Sequence, residues 1–360
     1  MSVNPITIKS KIRDYPVYFE NSLEFINTLL EVPNSFFIID RKVWDLYLLS
    51  KFKVLTVNSD KLFILDIDEN IKNLDTVVNL YKLIVNNPAK KKLTIISIGG
   101  GIVQDISGFL ASTLYRGVNW TFIPTTLLAQ VDSCIGAKTS LNLSHYKNLI
   151  GTFFPPTKII ICPDFIDSLT ELDFYSGLGE VVKLNIIAGQ QKLNKFIQDI
   201  ENISIKDKLT ILFHIENSLL IKKDFIEEDE FDNGRRNILN YGHCIGHAIE
   251  SATEYLIPHG QAVLIGIMLA NIISKNRNVL DTESENRLFF NALLPIFKIE
   301  SGLKFDIDLI ITALEQDKKR EGLGLPLIML KGGYEFEKIN DLTKLEVETA
   351  IAELQERIKF

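Results

Sequence analysis

Apolar, β-branched and aromatic runs of strand length recur through the first half of the chain, at residues 17–19, 35–39, 54–57, 62–65, 93–98, 120–123 and 158–162. Between several of them apolar positions return at helical spacing, as over 74–85. Strands alternating with helices predict a largely parallel α/β sheet of Rossmann-like type. After about Glu171 the strand runs stop, and helical patterns follow over 179–188, 206–224, 237–251, 261–274 and 283–294. The pattern thus predicts an α/β domain over 1–170 and a mostly helical domain over 171–360. Only Pro163 breaks the seam at 163–173, so the domains are expected to pack together and enclose a cleft, the usual place for a site.

Length and composition agree with a folded two-domain chain. It has 360 residues, 46% of them hydrophobic and 24% charged, which leaves little room for extensive disorder. A net charge of -7 argues against a nucleic-acid partner bound through a basic surface, but not against a small anion held by local basic groups. Cys134, Cys162 and Cys244 are too few and too scattered for a disulfide framework, which suits a reducing compartment. Residues 1–10 lack a charged start followed by an apolar core, and no apolar run approaches a membrane span. A cytoplasmic protein without a membrane partner is expected.

The first chemical signal is a strand, 95–98, running into Gly99, Gly100 and Gly101 and then an apolar helix start at 102–110. Glycines there let a backbone approach a ligand, and free amides at a helix N-terminus favour a diphosphate. The spacing departs from Gly-x-Gly-x-x-Gly, so a plain tight turn is the competing reading. Asp40, ending the strand 36–39, suits a ribose hydroxyl pair or, equally, a helix cap. From 116 to 148 come Arg116, Thr125, Thr126, Gln130, Asp132, Lys138, Asn142, Lys147 and Asn148, set singly among apolar residues and glycines. That spacing suits an inward-facing site for a polyhydroxylated anion better than a solvated face.

The densest stretch is 235–250. His243 and His247 are four apart, which sets both imidazoles on one helix face, with Arg236 and Asn240 shortly before them. A further histidine follows in Pro258-His259-Gly260. The zinc-peptidase spelling is excluded, because Cys244 rather than Glu follows His243. Two hydrogen-bonded core histidines are one reading of the pair. The other adds Glu180, from Gly179-Glu180-Val181-Val182-Lys183, to His243 and His259, making the two-histidine, one-carboxylate set of a catalytic zinc site.

Together these strings resemble the 3-dehydroquinate synthase family, within the sugar phosphate cyclases. The resemblance rests on Gly-Gly-Gly-Ile-Val-Gln-Asp-Ile-Ser-Gly-Phe (99–109), Tyr-Arg-Gly (115–117), Pro-Thr-Thr-Leu-Leu-Ala-Gln-Val-Asp-Ser (124–133), Lys-Asn-Leu-Ile-Gly (147–151), Ser-Gly-Leu-Gly-Glu-Val-Val-Lys (176–183), the 236–250 stretch and Asp-Lys-Lys (317–319). It implies a lyase of the shikimate pathway and aromatic amino acid biosynthesis, which turns 3-deoxy-arabino-heptulosonate 7-phosphate into 3-dehydroquinate. NAD would oxidise a hydroxyl, phosphate would leave and itself take the proton, NADH would return the hydride, and an aldol closure would form the ring. By motif, Glu180, His243 and His259 would bind Zn2+, with Co2+ as a substitute, and His247 would pass to the phosphate pocket. Arg116, Lys147, Asn148, Asn240, Lys318 and Lys319 would join it there. Asp132, Lys138 and Lys183 would hold ring hydroxyls, and Lys222 and Arg236 the carboxylate. Asp40, Glu69, Lys72, Gly99, Gly100, Gly101, Asp105, Thr125, Thr126, Asp132, Lys138 and Lys147 would serve NAD. Arg116 would reach a neighbouring subunit's site, which implies a homodimer.

Two departures stand out. The family's usual Ser-Val-Gly-Gly-Lys-Thr-Gly-x-Asn reads Cys-Ile-Gly-Ala-Lys-Thr-Ser-Leu-Asn at 134–142, so Ala137 and Ser140 replace glycines beside Lys138. The segment after Asp-Lys-Lys, Arg-Glu-Gly-Leu-Gly-Leu-Pro-Leu-Ile-Met-Leu (320–330), also lacks, beyond Arg320, the arginine that the family commonly carries there. A cyclase acting on another heptulose phosphate, or a metal-dependent polyol dehydrogenase, are the alternative readings. Intact Lys222 and Arg236 speak for a carboxylate substrate.

Overall fold

The apolar runs of the first half pair into one sheet in the computed structural model, which describes residues 4–50, 61–85, 92–144, 146–299, 305–315 and 324–358. Its strands are β1 (Ile6–Ile8), β2 (Tyr15–Phe19), β3 (Ser35–Asp40), β4 (Leu62–Leu65), β5 (Thr94–Gly99), β6 (Asn119–Pro124) and, after a separate hairpin of β7 (Lys138–Leu143) and β8 (Tyr146–Phe153), β9 (Lys158–Ile161). They lie in the order β1-β2-β9-β6-β5-β3-β4, and every pairing is parallel except β1 with β2. The run expected at 54–57 lies outside the described residues. β3, β5 and β6 are buried almost end to end, as strands covered on both faces must be, which is why they read as continuous apolar runs. Phe37, Ile39, Ile96, Ile98 and Ile123 pack there with Phe25, Trp44 and Phe165. The helices of this part are α1 (Ile26–Leu29), α2 (Arg41–Val43), α3 (Leu74–Val85) and α4 (Gly101–Thr113).

The order of pairing locates a binding edge. β3 pairs with β4 on one side and with β5 on the other, and the sheet then continues away through β6 and β9. The chain therefore reverses its direction of build between β3 and β5, the topological switch point at which open α/β sheets receive ligands. Ile39 stands opposite Ile98 in that pair, which sets Asp40 and Gly99 side by side at the two strand ends.

Chain contacts divide the molecule into two units, residues 1–169 with 223–231, and residues 170–222 with 232–360. The second carries α5 (Glu171–Ile187), α6 (Gln190–Ser204), most of α7 (Lys208–Glu228), α8 (His243–Ala252), α9 (His259–Asn276), α10 (Thr282–Arg287), α11 (Ile307–Glu315) and α12 (Lys344–Ile358). It is mostly helical, yet it also holds a hairpin of β10 (Leu325–Lys331) and β11 (Glu335–Leu342), so strands do not end at Glu171. The helix expected from 179 begins earlier, because Thr170 caps it by accepting from the Asp173 amide at 3.1 Å. The helix expected over 237–251 is broken. A 3₁₀ turn, Arg235–Asn240, precedes Tyr241 and Gly242, and Gly242 takes φ +78° before α8 starts. α9 is buried from Gly260 to Ser274, a core helix apolar on nearly all sides.

Candidate active site

Close helix crossings assemble the histidine cluster. A Cβ on Gly260 would stand 1.7 Å from the Ser176 carbonyl oxygen, and one on Gly179 would stand 2.2 Å from the Gly260 oxygen. Only residues without a side chain let α5 and α9 touch backbone to backbone there. That contact sets Glu180, which follows Gly179, against His259, which precedes Gly260. His243 and His259 each bring Nε2 to 3.5 Å from Glu180 Oε1. His247, one turn beyond His243, turns its ring into the same space, with centroids 5.2 Å from His243 and 5.6 Å from His259. One ligating nitrogen of each of the three histidines lies within 4.8 Å of the others.

The opposite ring nitrogens are held from behind. His243 Nδ1 lies 3.3 Å from the Tyr241 carbonyl oxygen, and His259 Nδ1 lies 3.1 Å from Glu250 Oε2. An imidazole bonded at Nδ1 presents Nε2 to a ligand. Glu180 is fully buried. It is ion-paired with Lys183, yet neither carboxylate oxygen accepts a well-directed hydrogen bond. Lys183 balances the charge, and a metal cation would supply the directed contacts that the oxygens otherwise lack. Burial opposes ionisation of Glu180, but the Lys183 ammonium and His259 outweigh it and hold the carboxyl at about 2. Burial also opposes charge on His259, and there Glu250 and Glu180 prevail, pushing it up to about 10. Two imidazole nitrogens and one carboxylate oxygen are a donor set that suits a catalytic zinc with an open position.

In the same unit Lys222 on α7 and Arg236 on the 3₁₀ turn are both buried, at 7% and 4% exposure. Asn240 donates to the Asn237 carbonyl at 3.0 Å. Lys318 and Lys319 lie outside the described residues.

The first unit gathers a second group. The Asp40 carboxylate accepts from the Lys42 amide at 2.8 Å and so caps α2, while burial raises its pKa. Opposite it, Thr125 N donates to the Gly99 carbonyl at 3.0 Å, and the Gly100 Cα faces the Thr126 side chain. A Cβ on Gly101, at the head of α4, would meet little, with Ser133 Oγ nearest at 3.9 Å. Packing therefore does not demand that glycine, whereas close approach of a ligand to the helix N-terminus would. A polar network lies beside this turn. Lys72 Nζ reaches Asp105 Oδ2 at 2.5 Å and Asn148 Oδ1 at 2.6 Å. Ser140 donates its amide to Asp105 at 2.9 Å, and its hydroxyl lies 2.8 Å from Asn148 Oδ1. Glu69 accepts from Asn142 at 2.9 Å and lies 3.7 Å from Lys147 Nζ. Asp132 is half-buried, and Arg116 and Lys138 are exposed. Gln130, by contrast, is structural, donating to the Pro124 and Cys162 carbonyls.

Two contributors escaped the sequence reading. Ser140 entered it only as a departure from glycine. Glu250 was passed over, although its place seven residues after His243 puts it on the same face of α8.

The comparisons bear on both groups. Residues 62–176 match the family described as 3-dehydroquinate synthase N-terminal, and residues 177–320 match 3-dehydroquinate synthase C-terminal. The 3-dehydroquinate synthase of Clostridium tetani is 34% identical over 348 residues, covering 94% of this chain and 92% of that protein. Among solved structures, 2-epi-5-epi-valiolone synthase of Streptomyces hygroscopicus with NAD+ and Zn2+ bound superposes with a TM-score of 0.84 at 23% identity, covering 97% of this chain and 99% of that one. A 2-deoxy-scyllo-inosose synthase complexed with carbaglucose-6-phosphate, NAD+ and Co2+ also gives 0.84, at 24% identity, covering 97% of this chain and 100% of that one. These two share the fold.

Proposed function

The chain belongs to the 3-dehydroquinate synthase family, and from that premise we propose that it converts 3-deoxy-arabino-heptulosonate 7-phosphate into 3-dehydroquinate and phosphate. The observation that carries the reading is the fully buried Glu180 carboxylate, ion-paired with Lys183 and facing the Nε2 atoms of His243 and His259 at 3.5 Å. Those three residues would hold a divalent zinc or cobalt. When bound, NAD takes a hydride and later returns it, and the metal lowers the pKa of the hydroxyl being oxidised. Gly99, Gly100, Gly101 and the head of α4 would receive the diphosphate, with Asp40 at the neighbouring strand end for a ribose. Glu69, Lys72, Asp105, Thr125, Thr126, Asp132, Lys138 and Lys147 would complete the cofactor's surroundings.

Lys222 and Arg236 would bind the substrate carboxylate. Both are buried, and the guanidinium fork suits a carboxylate, which it pairs through two hydrogen bonds. Arg116, Lys147, Asn148, Asn240 and His247, with Lys318 and Lys319, would hold the phosphate. Asp132, Lys138 and Lys183 would hold ring hydroxyls. The departing phosphate would carry away the proton, so no strong protein base is required. Exposed Arg116 is available to a neighbouring subunit of a homodimer, and three buried cysteines outside any disulfide suit a reducing compartment such as the cytoplasm.

The test is incubation of the purified protein with the heptulosonate phosphate, NAD and zinc. Phosphate and cyclic product should appear in equal amounts, without accumulation of NADH. Stoichiometric NADH release would mark a polyol dehydrogenase, and faster turnover of sedoheptulose 7-phosphate, which lacks the carboxylate, would mark a different cyclase.

A further inference from the structure

The two histidines beside Glu180 are backed by different partners. Behind His243 is a neutral group, the Tyr241 carbonyl at 3.3 Å, whereas behind His259 is the Glu250 carboxylate at 3.1 Å. Glu250 is buried, in the last turn of α8, on the face that also carries His243 and His247. His259 opens α9, so this one contact ties the end of one site helix to the head of the next.

We propose that Glu250 is a positioning residue of the metal centre, an inference that rests on the reading of Glu180, His243 and His259 as ligands. A carboxylate can only accept, so it fixes a proton on His259 Nδ1 and leaves Nε2, which faces Glu180, as the nitrogen a metal would take. It also prevents the ring, which is 30% exposed at its side chain, from turning away about χ2. The negative charge behind the ring makes Nε2 a stronger donor than a carbonyl partner would. His243 is held instead by the Tyr241 carbonyl, only two residues away. The competing account is that the pair merely fastens the connection between α8 and α9. That account predicts lost stability with unchanged metal affinity.

The experiment compares wild-type protein, Glu250→Ala, Glu250→Gln and His259→Ala, each stripped by chelator and titrated with Co2+. Dissociation constants, the visible spectrum of bound Co2+ and the unfolding temperature of the chelated form are measured. Glu250→Ala should weaken Co2+ binding by about 10- to 100-fold and alter the spectrum, the range for loss of a group that orients a metal ligand. Glu250→Gln keeps an acceptor oxygen and should lose less. Should the alanine variant not fold, Glu250→Met fills the volume without an acceptor and carries the same expectation. Wild-type affinity in Glu250→Ala, together with a lowered unfolding temperature, overturns the proposal and leaves the ligand set intact. Wild-type affinity in His259→Ala would instead overturn the ligand reading itself.

Discussion

At position 137 the backbone takes φ +58°, left-handed, with alanine where the family's motif has glycine. An L residue there costs roughly 1–2 kcal/mol, while glycine would return roughly 0.4–1 kcal/mol of entropy to the unfolded chain. Ala137→Gly should therefore stabilise the protein by up to about 1 kcal/mol in urea unfolding. Ser140 is the opposite case, lying in β7 with its amide and hydroxyl bonded to Asp105 and Asn148. Ser140→Gly should destabilise by about 1–2 kcal/mol, through strand entropy and a lost hydrogen bond. Changes of the same sign in the two variants would contradict this account. The sequence flagged both positions but could not tell them apart, because φ is decided by the turn at Gly136 and Ala137 and not by residue type. The histidines of the proposed metal site were legible for another reason: the chain has only 5 histidines, and His243, His247 and His259 cluster along it. Glu250 was not, since an acid on a helix is ordinarily a solvated charge until its partner is seen.

Among the elements, the strands of the main sheet were readable because burial on both faces leaves an unbroken apolar run. β7 and β8 were not, since no position of β8 is buried and its Asn148 joins the site network. β10 is fully apolar and buried over Leu325–Leu330, but a short apolar run amid helical sequence has no period that separates strand from helix. The break before α8 was hidden similarly, because Gly242 interrupts an otherwise continuous helical pattern. The crossing of α5 and α9 yields a direct test. A methyl group on Gly260 would meet the Ser176 carbonyl at 1.7 Å, and backbone cannot rotate aside as a side chain does. Gly260→Ala should destabilise by at least about 1–3 kcal/mol, as overpacking does, and should lower bound zinc because Glu180 and His259 move apart. Normal zinc content with unchanged stability in that variant would show that the crossing relaxes without moving the ligands.

For the molecule as a whole, alternation of strands and helices revealed the α/β part and the change of pattern near 171 revealed the helical part. The return of 223–231 to the first unit was invisible, since α7 reads as one uninterrupted helix. Stability against pH joins groups far apart in sequence, and the chelated protein should be most stable a little above pH 6. His214, 3.0 Å from Asp199, is held neutral by burial, which lowers its pKa despite the aspartate. The unfolded chain then binds the extra proton first, so stability is lost as pH falls below about 6.5. Glu180, held at about 2, adds a second loss as pH falls below about 4.5, where the unfolded carboxyl takes up its proton. His259 has the opposite sign. Pushed up to about 10, it contributes fully below about 6.5 and loses its contribution as pH rises towards its folded value. A bound cation would replace the proton on His259 Nε2, so zinc uptake at pH 8 should release a proton and the loaded protein should show a shallower alkaline decline. Calorimetric unfolding temperatures from pH 4 to 10, with chelator and with zinc, check the curve. His214→Gln should flatten the limb near pH 6 and His259→Ala the alkaline limb of the chelated protein. An alkaline limb unchanged in His259→Ala would mean that some other group governs it.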